Sequence, residues 1–144
     1  MGHRKVQCWI FAADSGQPND ARCLLLKTNA ARGAFWQPVT GSVEPGEGFF
    51  EAACREPLEE TGFAFESPPV DVGYDFEFTS RFGVTRERVF VLTVASQQDP
   101  RLDPKEHQDF QWISPLQAIG LLRFPTNEQG LRLSFRCLFG KDLA

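Results

Sequence analysis

The run from Gly41 to Phe63, GSVEPGEGFFEAACREPLEETGF, constrains this chain more than any other segment. Pro45 and Gly46 mark a loop, an acidic helix reads on to Thr61, and Gly41 and Gly62 frame a loop–helix–loop unit. Six glutamates (44, 47, 51, 56, 59 and 60) stand against one basic residue, Arg55. Glu56, Glu59 and Glu60 are spaced i, i+3 and i+4, so on a helix they share one face. Like charges this close repel, and stability alone would not group them. A hard divalent cation resolves the conflict, because Mg²⁺ takes oxygen ligands and bridges carboxylates to substrate phosphates. The competing reading is a solvated acidic face; the framing glycines favour the metal site.

The stretch resembles the signature of the Nudix hydrolases. That pattern is Gly, five residues, Glu, seven residues, Arg-Glu, an apolar residue, any residue, Glu-Glu, any residue, Gly and an apolar residue. Here the positions are Gly41, Glu47, Arg55, Glu56, Pro57, Glu59, Glu60, Gly62 and Phe63. Pro57 departs from the aliphatic residue of the pattern. Proline removes the N–H that would reach the Ala53 carbonyl, and its ring clashes there, costing about 3 kcal/mol inside a helix. It also biases Glu56 away from helical dihedrals. A helical wheel sets Phe50, Ala53, Cys54 and Pro57 as an apolar stripe opposite the glutamates. Pro57 is expected to be buried, as a tolerated kink or as the cause of a displaced metal site.

At 144 residues the chain suits one domain over residues 1–144. Hydrophobic residues make up 42%, with fourteen Phe and three Trp, which excludes a disordered chain. The net charge of −4 is centred on the acidic helix, and scattered basic residues form no general nucleic-acid surface. No apolar run reaches the 18 residues or so of a membrane span, and the N-terminal stretch lacks a long export h-region. Cys8, Cys23, Cys54 and Cys137 show no metal spacing and read as reduced thiols of a cytoplasmic protein.

The pattern predicts strands over 5–13, 21–27, 35–43, 70–79, 87–95 and 110–113, with a turn over 14–20. Ser114-Pro115-Leu116-Gln117 is a capping box opening one late helix. Thr126-Asn127-Glu128-Gln129 repeats the capping logic before a second. The Nudix resemblance implies an α/β class and an α/β/α sandwich with a mixed sheet.

The resemblance also implies roles for individual residues. Glu56 and Glu60 become metal ligands, Glu59 a ligand or base, and Glu47 and Arg55 groups that orient the neighbouring carboxylates. Gly41 takes the position whose carbonyl joins the metal shell. The implied ion is Mg²⁺, with Mn²⁺ as substitute; it neutralises a polyphosphate and activates water.

Three further segments are similar to bacterial dihydroneopterin triphosphate pyrophosphatases. They are Phe35 to Glu44, Gly83-Val84-Thr85-Arg86, and Lys105-Glu106-His107 followed by Trp112-Ile113. By that likeness Glu106 reaches the metal cluster as ligand or base, and Thr40 contacts substrate. Lys5 or Arg4 pairs with the phosphate chain, with Arg81 also among the substrate-binding candidates. Thr126 supplies a substrate hydroxyl or a helix N-cap. Lys27, Thr28 and Asn29 stand where related enzymes carry arginines, leaving Lys27 as the candidate cation there. His107 reads as a hydrogen-bonding partner. Trp36, Phe35 and Phe82 are candidates to stack on a ring or to pack the core.

The expected partner is a small-molecule polyphosphate. The implied reaction releases pyrophosphate from dihydroneopterin triphosphate or a (deoxy)nucleoside triphosphate. One alternative is hydrolysis of a dinucleoside polyphosphate such as diadenosine tetraphosphate, or of a nucleotide sugar. Another is a non-catalytic nucleotide-binding module. The sequence leaves the ring identity, the number of metal ions and the oligomeric state open.

Overall fold

Strand β1 (His3–Ala12) organises the molecule, because its odd and even residues face two different cores. The computed structural model describes residues 2–14 and 16–143. Met1 and Ala144 lie outside the described residues, as does Ser15 in the expected 14–20 turn. Along one edge β1 pairs in parallel with β6 (Gly83–Val94), from His3↔Thr85 to Ala12↔Val94. The other edge is divided. β4 (Val39–Ser42) covers Lys5–Cys8 in antiparallel fashion, while β2 (Arg22–Thr28) meets β1 only at Phe11 and Ala12. β2 then pairs with β3 (Trp36–Gln37) and β7 (His107–Ile113), and β5 (Val70–Ser80) lies outside β6. One parallel pair among antiparallel ones makes the sheet mixed.

Helices cover both faces. Val6, Cys8 and Ile10 pack with Ala52 and Ala53 of α1 (Phe49–Thr61). Trp9, Phe11, Val89 and Val91 pack with Ala118 of α2 (Pro115–Ile119) and with Leu131 and Phe135 of α3 (Pro125–Phe139). The expected α/β/α sandwich is therefore present. Several boundaries differ from expectation. The single strand expected over 35–43 is broken at Pro38, which has no N–H for a ladder. β6 starts at Gly83 and β7 at His107, each earlier than hydropathy alone suggested.

The face assigned to α1 needs correcting. Its buried residues are Ala52, Ala53, Pro57 and Thr61, whereas Phe50 is 46% exposed and Cys54 is exposed. Glu56 and Glu60 lie on the same arc as Ala53 and Pro57 (i+3 and i+4 steps), so these carboxylates border the buried face instead of opposing it. Pro57 is buried, as expected, and α1 continues past it for another turn. There the Thr61 hydroxyl donates to the Pro57 carbonyl at 2.7 Å. The start of α3 also differs. Phe124 is its N-cap residue, without a side-chain cap, and Thr126 lies inside the first turn. Pro125 at the first helical position, needing no N–H partner, moves the boundary forward.

Candidate active site

Arg55 fixes the acidic loop to α1. Glu44 to Glu47 form a turn closed by the Glu47 N–H on the Glu44 carbonyl, and Gly46 supplies its left-handed residue (φ 81°). From that turn Glu47 accepts a two-pronged pair from Arg55, Nε at 2.7 Å and Nη2 at 2.9 Å. Arg55 also donates to the Ser42 carbonyl (2.9 Å), to Glu56 (3.0 Å) and to Glu59 (3.1 Å). The planar fork lets one side chain engage three carboxylates, Glu47 in two-pronged fashion, which a lysine would not do. The Arg55 hydrogen bond holds the Glu47 carboxyl down at about 2.

Glu56 lies against Gly41, where any Cβ would collide with its carboxyl group. Gly41 is therefore required for close approach of strand and helix. Glu60 is more enclosed, its side chain 8% exposed. Burial, followed by repulsion from Glu56 and Glu106, pushes its carboxyl well above the ordinary carboxylate value. Glu60 Oε2 and His107 Nε2 are buried without hydrogen-bond partners among the described residues. His107 Nε2 is 3.9 Å from Glu60 Oε1, and burial lowers its imidazole to about 4, leaving it neutral at neutral pH. The expected hydrogen-bonding role for His107 is thus not met by its Nε2.

Ligand atoms of Glu60, Glu106 and His107 all lie within 4.8 Å of one another. A cavity of about 240 Å³ is lined by these three with Glu56, Glu59 and Asp103. Orphaned buried acceptors beside converging carboxylates fit a divalent cation: it would satisfy groups that are otherwise costly to bury. Glu60, Glu106 and His107 present the converging ligand atoms and Glu56 lines the same cavity; Glu56 and Glu59 are both bonded to Arg55, but Glu59 is the more exposed.

Two larger cavities adjoin through shared lining residues. One, about 560 Å³, runs from Glu56, Glu60 and Glu106 past Lys5, Arg32, Thr40 and Gly41 to Arg81 and Phe82. The other, about 470 Å³, shares Lys5, Arg32, Thr40 and Phe78 and ends among Phe35, Phe76 and Phe124. Lys5, Thr40 and Arg81 thus lie along this groove, and Thr126 lines its aromatic end. Arg4 and Lys27 line neither of these two cavities. Arg4 donates to the Glu47 carbonyl (2.9 Å) and covers Phe49; Lys27 lies 5.8 Å over the Trp36 ring. Phe35 lines the aromatic end and Phe82 the middle.

The sequence reading missed Arg32. It stands in a 3₁₀ turn (Ala30–Arg32) capped by Asn29, lines both large cavities, and approaches Glu106 at 4.0 Å. A basic residue followed by Gly33 was the available signal. Phe76 and Phe78, two apart on β5, are also new, as are Glu87 and Asn127.

The NUDIX domain model matches residues 1–135, and the chain belongs to that family. The octanoyltransferase of Myxococcus xanthus is 37% identical over 126 residues, covering 85% of this chain but 33% of its own length. The chain therefore spans about a third of that relative. The nucleoside triphosphatase NudI of Escherichia coli is 31% identical over 126 residues, 80% of this chain and 84% of that protein. The E. coli dihydroneopterin triphosphate diphosphatase is 30% identical over 108 residues, 67% of this chain and 72% of its own. The solved structure of the Caenorhabditis elegans Ap4A hydrolase binary complex superposes with a TM-score of 0.79 at 22% identity, covering 96% of this chain and 99% of that one.

Proposed function

We propose that the protein hydrolyses a phosphoric anhydride bond in a nucleoside or pterin triphosphate, with Mg²⁺ as the natural ion and Mn²⁺ as a substitute. One observation carries this reading: a continuous groove that is acidic at one end, cationic in the middle and aromatic at the other. That is the order of charge in a metal-bound triphosphate joined to a flat ring. The similarity to a nucleoside triphosphatase and to a dihydroneopterin triphosphate diphosphatase supports the same substrate class.

When bound, the ion would neutralise phosphate charge and lower the pKa of a coordinated water. The protein's own groups do the rest. Lys5, Arg32 and Arg81 draw the phosphate chain along the groove. Arg55 and Glu47 hold Glu56 in place, and Glu59 or Glu106 takes the proton of the attacking water. Products should be measured with and without Mg²⁺: pyrophosphate from pterin and nucleoside triphosphates, and free nucleotides from dinucleoside polyphosphates. Metal-dependent release from triphosphates is the expected result; binding without turnover of any of them would leave a nucleotide-binding module.

A second reading is hydrolysis of a dinucleoside tetraphosphate. It is favoured by the exposed Phe82 (57%) on the middle cavity, where a second ring could stack, and by the likeness to the Ap4A hydrolase structure. Faster turnover of diadenosine tetraphosphate than of any triphosphate would select it.

A further inference from the structure

The aromatic cavity holds four enclosed polar side chains that the proposed reaction does not use: Thr28, Gln37, Glu87 and Asn127. Glu87 and Asn127 are each 5% exposed, and both line it. Asn127 Oδ1 is buried with no hydrogen-bond partner among the described residues. Glu87 Oε2 accepts from Gln7 Nε2 at 2.8 Å, and Gln7 Oε1 accepts from Trp9 Nε1 at 2.7 Å. The direction of this chain is fixed, because the indole N–H can only donate. Gln7 must turn its oxygen toward Trp9 and its amide N–H toward Glu87. Glu87 Oε2 is therefore held as an acceptor; burial pushes the carboxyl up while the Gln7 hydrogen bond and the Lys5 charge favour its ionised form, which has further lone pairs to offer.

Gly130 shows that this arrangement constrains the fold. A Cβ there would collide with Gln7 Oε1 and crowd Trp9 Nε1. Glycine inside a helix is unfavourable by about 1 kcal/mol relative to alanine, and at Gly130 it keeps room for the Trp9–Gln7 pair. Asn127 stands one turn earlier on the same helix.

The Glu87 acceptor and the unpartnered Asn127 amide oxygen, in a cavity whose far end is walled by Phe35, Phe76 and Phe124, call for a flat ligand that presents donors. A carboxylate matches adjacent N–H groups in the way it matches a guanidinium fork. The 2-amino-lactam edge has such a pair, the ring N–H beside an exocyclic amino group. Adenine presents an acceptor nitrogen next to its amino group, which would face the carboxylate unfavourably.

We infer that Glu87, with Asn127, selects substrates whose ring carries a 2-amino-lactam edge, as guanine and pterins do, over adenine. This rests on the proposed reading of the groove as a triphosphate site, and it assigns the aromatic cavity to the ring. Gln7 and Trp9 act as positioning residues for Glu87.

The test is equilibrium binding to the full chain by calorimetry, using non-hydrolysable analogues of GTP, ITP and ATP. Free guanosine and neopterin serve as arms that separate the two ring sources. The GTP analogue should bind roughly tenfold tighter than those of ITP, which lacks the amino group, and ATP. Glu87→Gln should bring the three within about twofold of one another by weakening the GTP analogue alone. Asn127→Ala should narrow the GTP-to-ATP ratio. Equal affinities of the parent for the three analogues would overturn the inference without any variant having to fold, and so would an unchanged ratio in folded Glu87→Gln. Tight guanine-selective binding with no turnover would instead sink the hydrolytic reading and leave ring selection standing.

Discussion

The acidic end and the aromatic end of the groove are built in opposite ways. Glu47, Arg55, Glu56, Glu59 and Glu60 come from fourteen consecutive positions, held by one turn, one helix and a single arginine. The aromatic end draws Gln7 from β1, Phe76 and Phe78 from β5, Glu87 from β6 and Asn127 from α3. Local sequence fixes the turn and helix of the first, with Glu106 and His107 joining at the start of β7, whereas only the assembled sheet fixes the second. Chemistry shared across a family can reside in a short segment, while ring choice is free to vary with the frame around it.

Glu60→Gln should separate the two ends most sharply. Turnover is expected to fall by more than about 100-fold at saturating Mg²⁺, while affinity for the non-hydrolysable GTP analogue through its ring is retained. The metal-free fold should be no less stable by thermal denaturation, since the change removes a carboxylate that burial and its neighbours disfavour. Near-parental turnover would remove Glu60 from the metal shell.

Arg32→Ala strikes where the two ends meet. KM for a triphosphate should rise by roughly tenfold with kcat little altered, the pattern of lost uniform binding. A fall in kcat alone would place Arg32 at the reacting phosphate instead.

The acidic loop was legible because a helix period and a turn dipeptide set which residues meet. Its packing was less so. The wheel put Phe50 and Cys54 inside, yet the sheet prefers the small side chains of Ala52 and Ala53, and this brings Glu56 and Glu60 to the buried edge. Glu87 was not legible, and Arg32 only as a basic residue beside Gly33. Arg32 depends on a short 3₁₀ turn, and Glu87 on a parallel pairing that places it beside Lys5. Neither leaves a mark in the periodicity of its own segment.

A pH series probes the acidic loop alone. Glu47 has its folded carboxyl lowered from 4.5 to about 2, so the unfolded chain binds more protons between those values. The parent should be more stable than Glu47→Gln above about pH 4.5, and the margin should shrink as pH falls toward 2. A margin independent of pH in acid urea titrations would mean the Arg55 pair contributes nothing through charge.

Pro57→Leu is expected to leave activity unchanged, the smallest effect of the set. Restoring the missing N–H should stabilise the fold by up to about 3 kcal/mol where the backbone relaxes. Loss of stability in chemical denaturation would show that the helix is already shaped around the ring. Altered Mg²⁺ dependence would give Pro57 a part in setting Glu56 and Glu60.

The parallel pairing of β1 with β6 bears on how the molecule assembles. Each residue of β1 meets a partner from beyond the middle of the chain, whereas α1 packs on β1 and β4, which precede it. Closing so long a loop is slow compared with local contacts. A growing or refolding chain should therefore gather its carboxylates early, and gain a shape able to tell one heterocycle from another only near the end. Pulse-labelled amide exchange would test that order, with protection of β6 arriving after protection of α1. The acidic helix would exist for a time without a ring pocket beside it.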